Sequence, residues 1–318
     1  MPSGQHHAID RVLVGFDGSA QGRDALSLGE AIADAEDSEL VVACVYEPES
    51  VFDGGDRYMP GVDMDRARAK QDAEMERNFS EVDARLAGRP YVRRERWGSP
   101  ARELTVLAED LNIDLVVVGS THEGRLGRVL PGSVGERLLQ GAPCAVAIAP
   151  LGYAKHEHFG VGLIGVGYTG SEESEVALRW AAALASRLGS GLRLIGAVPE
   201  FNPTHFPGLI GPPDYRTLTR DEVGETLATA ADRTESVDAE HVVLDGPPAE
   251  MLAQQGIDLD LLVVGSRGYG PLRRALLGGV SGRVMELAPC PVIVTPRGAE
   301  SESEAAASRS ASEARGHE

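Results

Sequence analysis

Asp114-Leu-Val-Val-Val-Gly-Ser120 is written a second time, 146 residues downstream, as Asp260-Leu-Leu-Val-Val-Gly-Ser266. Gly132 stands thirteen residues after Gly119, and Gly278 thirteen after Gly265. Ala142-Pro-Cys144 and Ala288-Pro-Cys290 keep the same offset. Nearer the starts, Val14-Gly-Phe-Asp-Gly-Ser19 is echoed by Val166-Gly-Tyr-Thr-Gly-Ser171 at an offset of 152. Loops of unequal length account for the difference. One structural unit is therefore encoded twice.

Each copy alternates strands and helices. In the first, short apolar runs at 11–16, 40–45, 91–97, 114–118 and 144–149 read as strands. Ser19 is placed to cap a helix whose Ala25, Leu28, Gly29 and Ile32 share one face. A charged helix follows over about 62–86, Ser99-Pro100 opens a third, and 133–140 is a short fourth. The second copy repeats the strands at 161–167, 192–198, 241–244, 259–264 and 292–295, and its first helix aligns Ala177, Trp180, Ala181 and Leu184. Strands apolar on both faces and joined by helices predict parallel sheets covered on both sides. The expected fold is α/β: two tandem open parallel five-stranded sheets of Rossmann-like build. The expected layout is a flexible N-terminus over 1–8, domains over 9–151 and 160–297, a linker over 152–159, and a disordered acidic tail over 298–318.

Composition narrows the function. The 318 residues fit two domains. A net charge of −19 opposes binding to nucleic acid or to an anionic membrane surface. Lys70 and Lys155 are the only lysines, which fits either a coding bias or salt adaptation. Cys44, Cys144 and Cys290 are too few and too scattered for a disulfide framework or a metal site, so three free thiols in a reducing cytoplasm are expected. No signal peptide and no membrane-length apolar run is visible.

In an open parallel sheet, ligands bind beyond the carboxyl ends of the strands, where strand order reverses. Asp17, Gly119, Gly132 and Ser133 fall there. A helix starting at Ser133 offers unpaired N–H groups and a positive dipole end, which suit phosphate. A carboxylate after strand one could accept from an amino or ribose hydroxyl group. Each residue also has a plain reading: Gly119 and Gly265 as strand ends, Gly132 and Gly278 as helix starts, Asp17 as a turn residue, His122 as surface loop, and Arg125, Arg128, Arg267, Arg273 and Arg274 as solvated charge.

The pattern resembles the universal stress protein family. Its nucleotide-binding members carry Gly-x2-Gly-x9-Gly-Ser/Thr after strand four and an Asp after strand one. The resemblance implies a cofactor, ATP or a related adenine nucleotide, and pairing of the two copies through their fifth strands as a pseudo-dimer within the chain. It also allows a homodimer. Long apolar sheet edges at 145–149 and 291–294 favour the same pairing. Both copies depart from the motif. The first reads Gly119-Ser-Thr-His122, then Gly132-Ser133, and keeps Asp17. The second reads Gly265-Ser-Arg-Gly268, then Gly278-Gly279, with Thr169 for the Asp and Ser281 two residues further on. The first copy is therefore expected to bind nucleotide more tightly. No phosphate-binding Gly-x4-Gly-Lys loop, pyrophosphate loop or nucleophile elbow is present. The sequence thus favours a nucleotide-binding regulator over an enzyme, with a ligand-free interaction scaffold as the alternative and a weak ATPase behind both.

Overall fold

The structure, a computed structural model, describes residues 9–47, 64–121, 131–155, 161–198, 215–234, 237–266 and 279–296. The first copy folds as β1 (Arg11–Gly15), α1 (Ala20–Glu36), β2 (Glu39–Tyr46), α2 (Met64–Leu86), β3 (Val92–Trp97), α3 (Pro100–Asp110), β4 (Leu115–Gly119), α4 (Ser133–Gly141) and β5 (Ala145–Ala149). A 3-10 turn at Tyr153–Lys155 follows. The second copy repeats the order: β6 (Leu163–Gly167), α5 (Glu172–Leu188), β7 (Gly191–Val198), α6 (Tyr215–Asp232), β8 (Ala239–Asp245), α7 (Pro248–Gln255), β9 (Leu261–Gly265), α8 (Gly279–Leu287) and β10 (Val292–Thr295). The proposed termini 1–8 and 298–318 lie outside the described residues.

Within each copy the five strands run parallel, in the orders β3-β2-β1-β4-β5 and β8-β7-β6-β9-β10. The two sheets are then joined edge to edge into one ten-stranded sheet. β5 and β10 pair antiparallel, with Val146 opposite Val294, Ala147 opposite Ile293 and Ile148 opposite Val292. β5 is buried along its whole length, so the pairing covers an apolar edge that would otherwise invite other chains. The outer edge β3 alternates half-buried and exposed residues and carries Arg93, Arg94, Glu95 and Arg96, charges that discourage further pairing.

Two core layers result, one on each face of the sheet, and each draws on both copies. One packs Leu28 and Ile32 of α1, Phe79 of α2, and Trp180 and Leu184 of α5 against Val14, Val117, Ala147 and Ile293. The other packs Leu104 and Leu107 of α3, Leu138 of α4, and Val284 of α8 against Leu13, Val116, Ile148 and Val294. Ser19 caps α1 by accepting from the Gly22 N–H at 3.0 Å.

Several strand limits differ from the sequence expectation, because ladder hydrogen bonds set them and apolar runs do not. β4 begins at Leu115 and β9 at Leu261. Before them, Asp114 and Asp260 turn their carboxylates to the neighbouring strand: Asp114 accepts from the N–H groups of Asp10 and Arg11, and Asp260 from those of Gly162 and Leu163. β6 starts at Leu163, two residues later than its apolar run suggests. β8 is longer than expected, because Ala239 and Glu240 pair with Leu192 and Arg193 although only half-buried or exposed.

The join between the copies has its own polar contacts. Asp24 of α1, 2% exposed, accepts from the N–H groups of Gly152 at 2.7 Å and Ala154 at 2.8 Å. The start of the connecting segment is thereby tied to α1, with Tyr153 buried beside it. Arg187 of α5 reaches the Glu36 carboxylate at the end of α1 at 2.9 Å. All three cysteines are buried free thiols whose pKa burial pushes up to about 12, which keeps them protonated and unreactive.

Candidate functional site

Each copy opens a cleft where its strand order reverses, beyond the carboxyl ends of β1 and β4 in one and of β6 and β9 in the other. The first cleft is about 310 Å3 and the second about 270 Å3. Small-molecule sites start near 300 Å3, which the first cleft reaches and the second approaches.

In the first cleft, Asp17 leaves β1 and stands exposed at the mouth. Its Oδ1 accepts from the Ser19 N–H at 3.0 Å and from the Ser19 hydroxyl. Ser19 in turn holds the Gly22 N–H. Asp17 is thus both turn residue and cleft residue. One oxygen organises the entry to α1, and no described residue donates to the other. Across the cleft, Ser120 pairs with Pro131 in an isolated bridge, which brings residues 119–121 beside 131–133. Gly132 is the N-cap of α4, in an extended conformation (φ −78°, ψ 179°) with no side chain bonded across the helix start. Gly132, Ser133, Val134 and Gly135 line the cleft, so the α4 N-terminus faces the same space as Asp17.

The glycines of the motif have different physical causes. A Cβ on Gly119 would lie 2.2 Å from the carbonyl oxygen of Gln21, and one on Gly265 would lie 2.4 Å from that of Glu173. The start of the first helix of each copy packs directly on the end of its fourth strand, and only glycine allows that approach. These two glycines are demanded by the fold. Gly132 is not: a Cβ there would meet nothing closer than the Thr121 Cβ at 3.7 Å. It would stand in ordinary contact with Thr121 at the N-terminus of α4, on the cleft wall.

The second cleft keeps the frame and changes the groups. Thr169 replaces Asp17, and Ser174 stands where the first copy has Gly22. The Thr169 hydroxyl lies 3.1 Å from the Ser171 hydroxyl, the Thr169 N–H donates to Ser174 Oγ at 3.2 Å, and the Ser174 hydroxyl donates to the Ser171 carbonyl at 2.8 Å. The Asp17 carboxylate has given way to a hydroxyl cluster, while Glu173, which lines this cleft, stands where the first copy has Gln21. Gly279 and Ser281 line this cleft, the latter 3% exposed on α8. Beside the cleft, Glu175 accepts from the Tyr168 hydroxyl and from Arg233 at 2.8 Å. Burial disfavours the Glu175 charge, but these two donors outweigh it and hold the carboxyl below its ordinary range. Tyr168 is another cleft-lining residue.

Of the residues singled out by sequence, Asp17, Gly119, Gly132 and Ser133 come together in one cleft, and Gly265 and Ser281 in the other. His122, Gly268 and Gly278 lie outside the described residues, as do Arg125, Arg128, Arg267, Arg273 and Arg274. Sequence reasoning missed Ser174 and Thr121. Ser174 was findable at the offset of 152, because Gly22→Ser and Asp17→Thr sit five residues apart in the repeat. Thr121 reaches the site only through the Ser120–Pro131 bridge, which no local pattern announces. Among the described residues no group of His, Cys, Asp or Glu is arranged to hold a metal ion, and no helix is long and apolar enough to cross a membrane.

The model of the universal stress protein family matches the chain twice, over residues 8–150 and 162–296. The chain is 28% identical over 307 residues to Universal stress protein Rv2319c of Mycobacterium tuberculosis, covering 90% of this chain and 99% of that protein. It is 35% identical over 184 residues to Universal stress protein Rv2005c of the same species, a match covering 57% of this chain and 61% of that relative's length. A solved universal stress protein from Archaeoglobus fulgidus superposes with a TM-score of 0.62 at 22% identity, over 91% of this chain and 97% of the other, a likeness of fold.

Proposed function

This chain belongs to the universal stress protein family as a tandem two-domain member, and we propose that it binds an adenine nucleotide, ATP or a close relative, as a regulator whose ligand biases conformation or assembly. The observation that carries this reading is Gly132. No described residue requires glycine there, since a Cβ would meet only Thr121 at 3.7 Å, yet Gly132 stands at the α4 N-terminus on the cleft wall. That N-terminus presents N–H groups and a positive dipole to a phosphate, with the Ser133 hydroxyl beside them. Asp17, at the opposite wall, retains one carboxylate oxygen for a ribose or amino group. The residues therefore fit a nucleotide in the first cleft. In the second, Thr169 and Gly279 replace Asp17 and Ser133, so the first cleft is the tighter of the two. Gly119, Gly265, His122, Gly268, Gly278 and Ser281 complete the proposed set. The chain acts in the cytoplasm, and its two domains, 9–151 and 160–297, form a pseudo-dimer through β5 and β10. No catalytic residue is assigned.

A ligand-free scaffold is the second reading, and the contact of Gly119 with Gln21 favours it: that glycine is retained for packing whether or not a nucleotide binds. Mass spectrometry of the supernatant from freshly purified, denatured protein separates the two. A stoichiometric adenine nucleotide supports the first reading. A clean supernatant, with no shift in melting temperature on adding ATP, overturns it.

A further inference from the structure

A different cavity, of about 160 Å3, lies where the two copies meet and shares no lining residue with either cleft. Asp114, Cys144, Val176, Trp180, Thr295 and Pro296 are among its walls. The internal repeat gives this place a twin across the β5/β10 pair. In the twin, Asp24 answers to Val176, Asp260 to Asp114, and Ala149 to Thr295. There the chain supplies its own occupant. It leaves β5 through Pro150, Asp24 takes the Gly152 and Ala154 N–H groups, and Tyr153 is buried with 8% exposure. The Tyr153 hydroxyl lies in the field of Asp260: burial first, then that carboxylate, raise its pKa to about 12.

The second copy carries a different residue at that place. Its equivalent of Tyr153 is Ala299, and residues 297–318 contain no Phe, Tyr, Trp, Leu, Ile, Val or Met. The walls have meanwhile changed to suit a guest. Val176 and Trp180 replace Asp24 and Leu28, which presents apolar surface instead of a carboxylate, and beside them Arg179 replaces Ser27. Thr295, 1% exposed, carries a hydroxyl without a partner among the described residues. Asp114 is committed through Oδ2 to the backbone of β1, and no described residue donates to its other oxygen. An apolar cavity of about 150 Å3 accommodates one benzene ring.

We propose that this cavity is a binding site for a small free phenol, one aromatic ring with a hydroxyl group, seated against Val176 and Trp180 with its hydroxyl toward Asp114. It reproduces with an external ligand what Tyr153 does in the twin, and it is independent of nucleotide binding in the clefts.

Trp97 and Trp180 are the only tryptophans, and Trp97 is 42% exposed. The full-length Trp97→Phe variant therefore reports from Trp180 alone. Titration with 4-bromophenol should quench its emission along a saturating curve. Val176→Phe, which fills the cavity, should weaken that binding at least tenfold. Bromobenzene, lacking the hydroxyl, should bind about tenfold more weakly than 4-bromophenol. Quenching that never saturates, a saturating curve unchanged by Val176→Phe, or equal binding of the two probes overturns the proposal. A crystal structure of the unaltered chain with 4-bromophenol decides independently of any variant. Bromine density in this cavity supports the site; density only elsewhere, or residues 297–318 filling the cavity, overturns it.

Discussion

The two clefts are built on the same frame and furnished differently. Gly119 and Gly265 meet the backbone of their first helices within 2.2 and 2.4 Å of where a Cβ would stand. Neither copy has been free to change that glycine. Asp17 is exposed at the cleft mouth with Gly22 packed against it, where a Cβ would lie 2.6 Å from the Asp17 carboxylate, and the second copy has Thr169 and Ser174 instead. Comparing the copies therefore sorts the motif by cause. What is identical at Gly119 and Gly265 is what the fold needs, whereas what differs around Asp17 is what the fold leaves to the ligand.

The comparison breaks first on stability. Gly119→Ala and Gly265→Ala should each cost about 3 kcal/mol, the upper end for overpacking, since helix backbone must move to admit the methyl group. Urea unfolding followed by circular dichroism measures both. Tolerance of either change would mean that the close approach does not constrain that copy.

Nucleotide affinity is the next largest effect. Asp17→Ala should reduce affinity for ATP by one to two decades, about 1.5–3 kcal/mol for a hydrogen bond to a charged group. Thr169→Ala should change it little. Calorimetry on each variant gives the answer, and the reverse pattern would place the working site in the second cleft.

Gly132→Ala sharpens the distinction between fold and ligand. The methyl group meets no neighbour within 3.4 Å, so its stability cost should stay within about 1 kcal/mol, the scale of an N-cap change. Affinity for ATP should fall about tenfold nonetheless, because the methyl group is added at the α4 N-terminus, on the cleft wall. A full 3 kcal/mol loss with unchanged affinity would make Gly132 a second Gly119.

The smallest effect lies at the join, where the copies also differ: Glu36 of α1 answers to Leu188 of α5. Burial raises the Glu36 pKa above its ordinary 4.5, although Arg187 opposes the shift. The folded state thus favours the protonated form. Its contribution to stability is complete below pH 4.5 and is lost as pH rises through the raised value. Glu36→Gln removes that loss, so at neutral pH it should raise the melting temperature slightly. The gain should vanish in acid. Thermal melts at the two pH values test this, and a destabilised neutral-pH variant would show that the Arg187 pair outweighs the burial.

How much was legible depended on whether a residue's role is local. Val14, Val117 and Ile293 announce buried strands by type and spacing, and Ser19 announces a helix cap three residues before the Gly22 N–H it accepts from. The repeat of Asp114–Ser120 at 260–266 reveals two copies without any coordinates. Ala239 and Glu240 were missed because their strand character comes from pairing with Leu192 and Arg193 and not from hydrophobicity. Thr121 was missed because it meets Gly132 through the Ser120–Pro131 bridge.

By itself, then, the amino-acid order determined the alternation of strands and helices, the duplication, and the family, since these follow from periodicity and from residues with fixed backbone roles. Tertiary structure decided why each glycine is a glycine. Gly119 and Gly132 are the same letter in the motif. One is held by a carbonyl oxygen of another element, and the other would only touch Thr121 at ordinary contact distance. Only the packing of α1 on the end of β4 separates them, because a steric contact belongs to two elements at once and is written in neither.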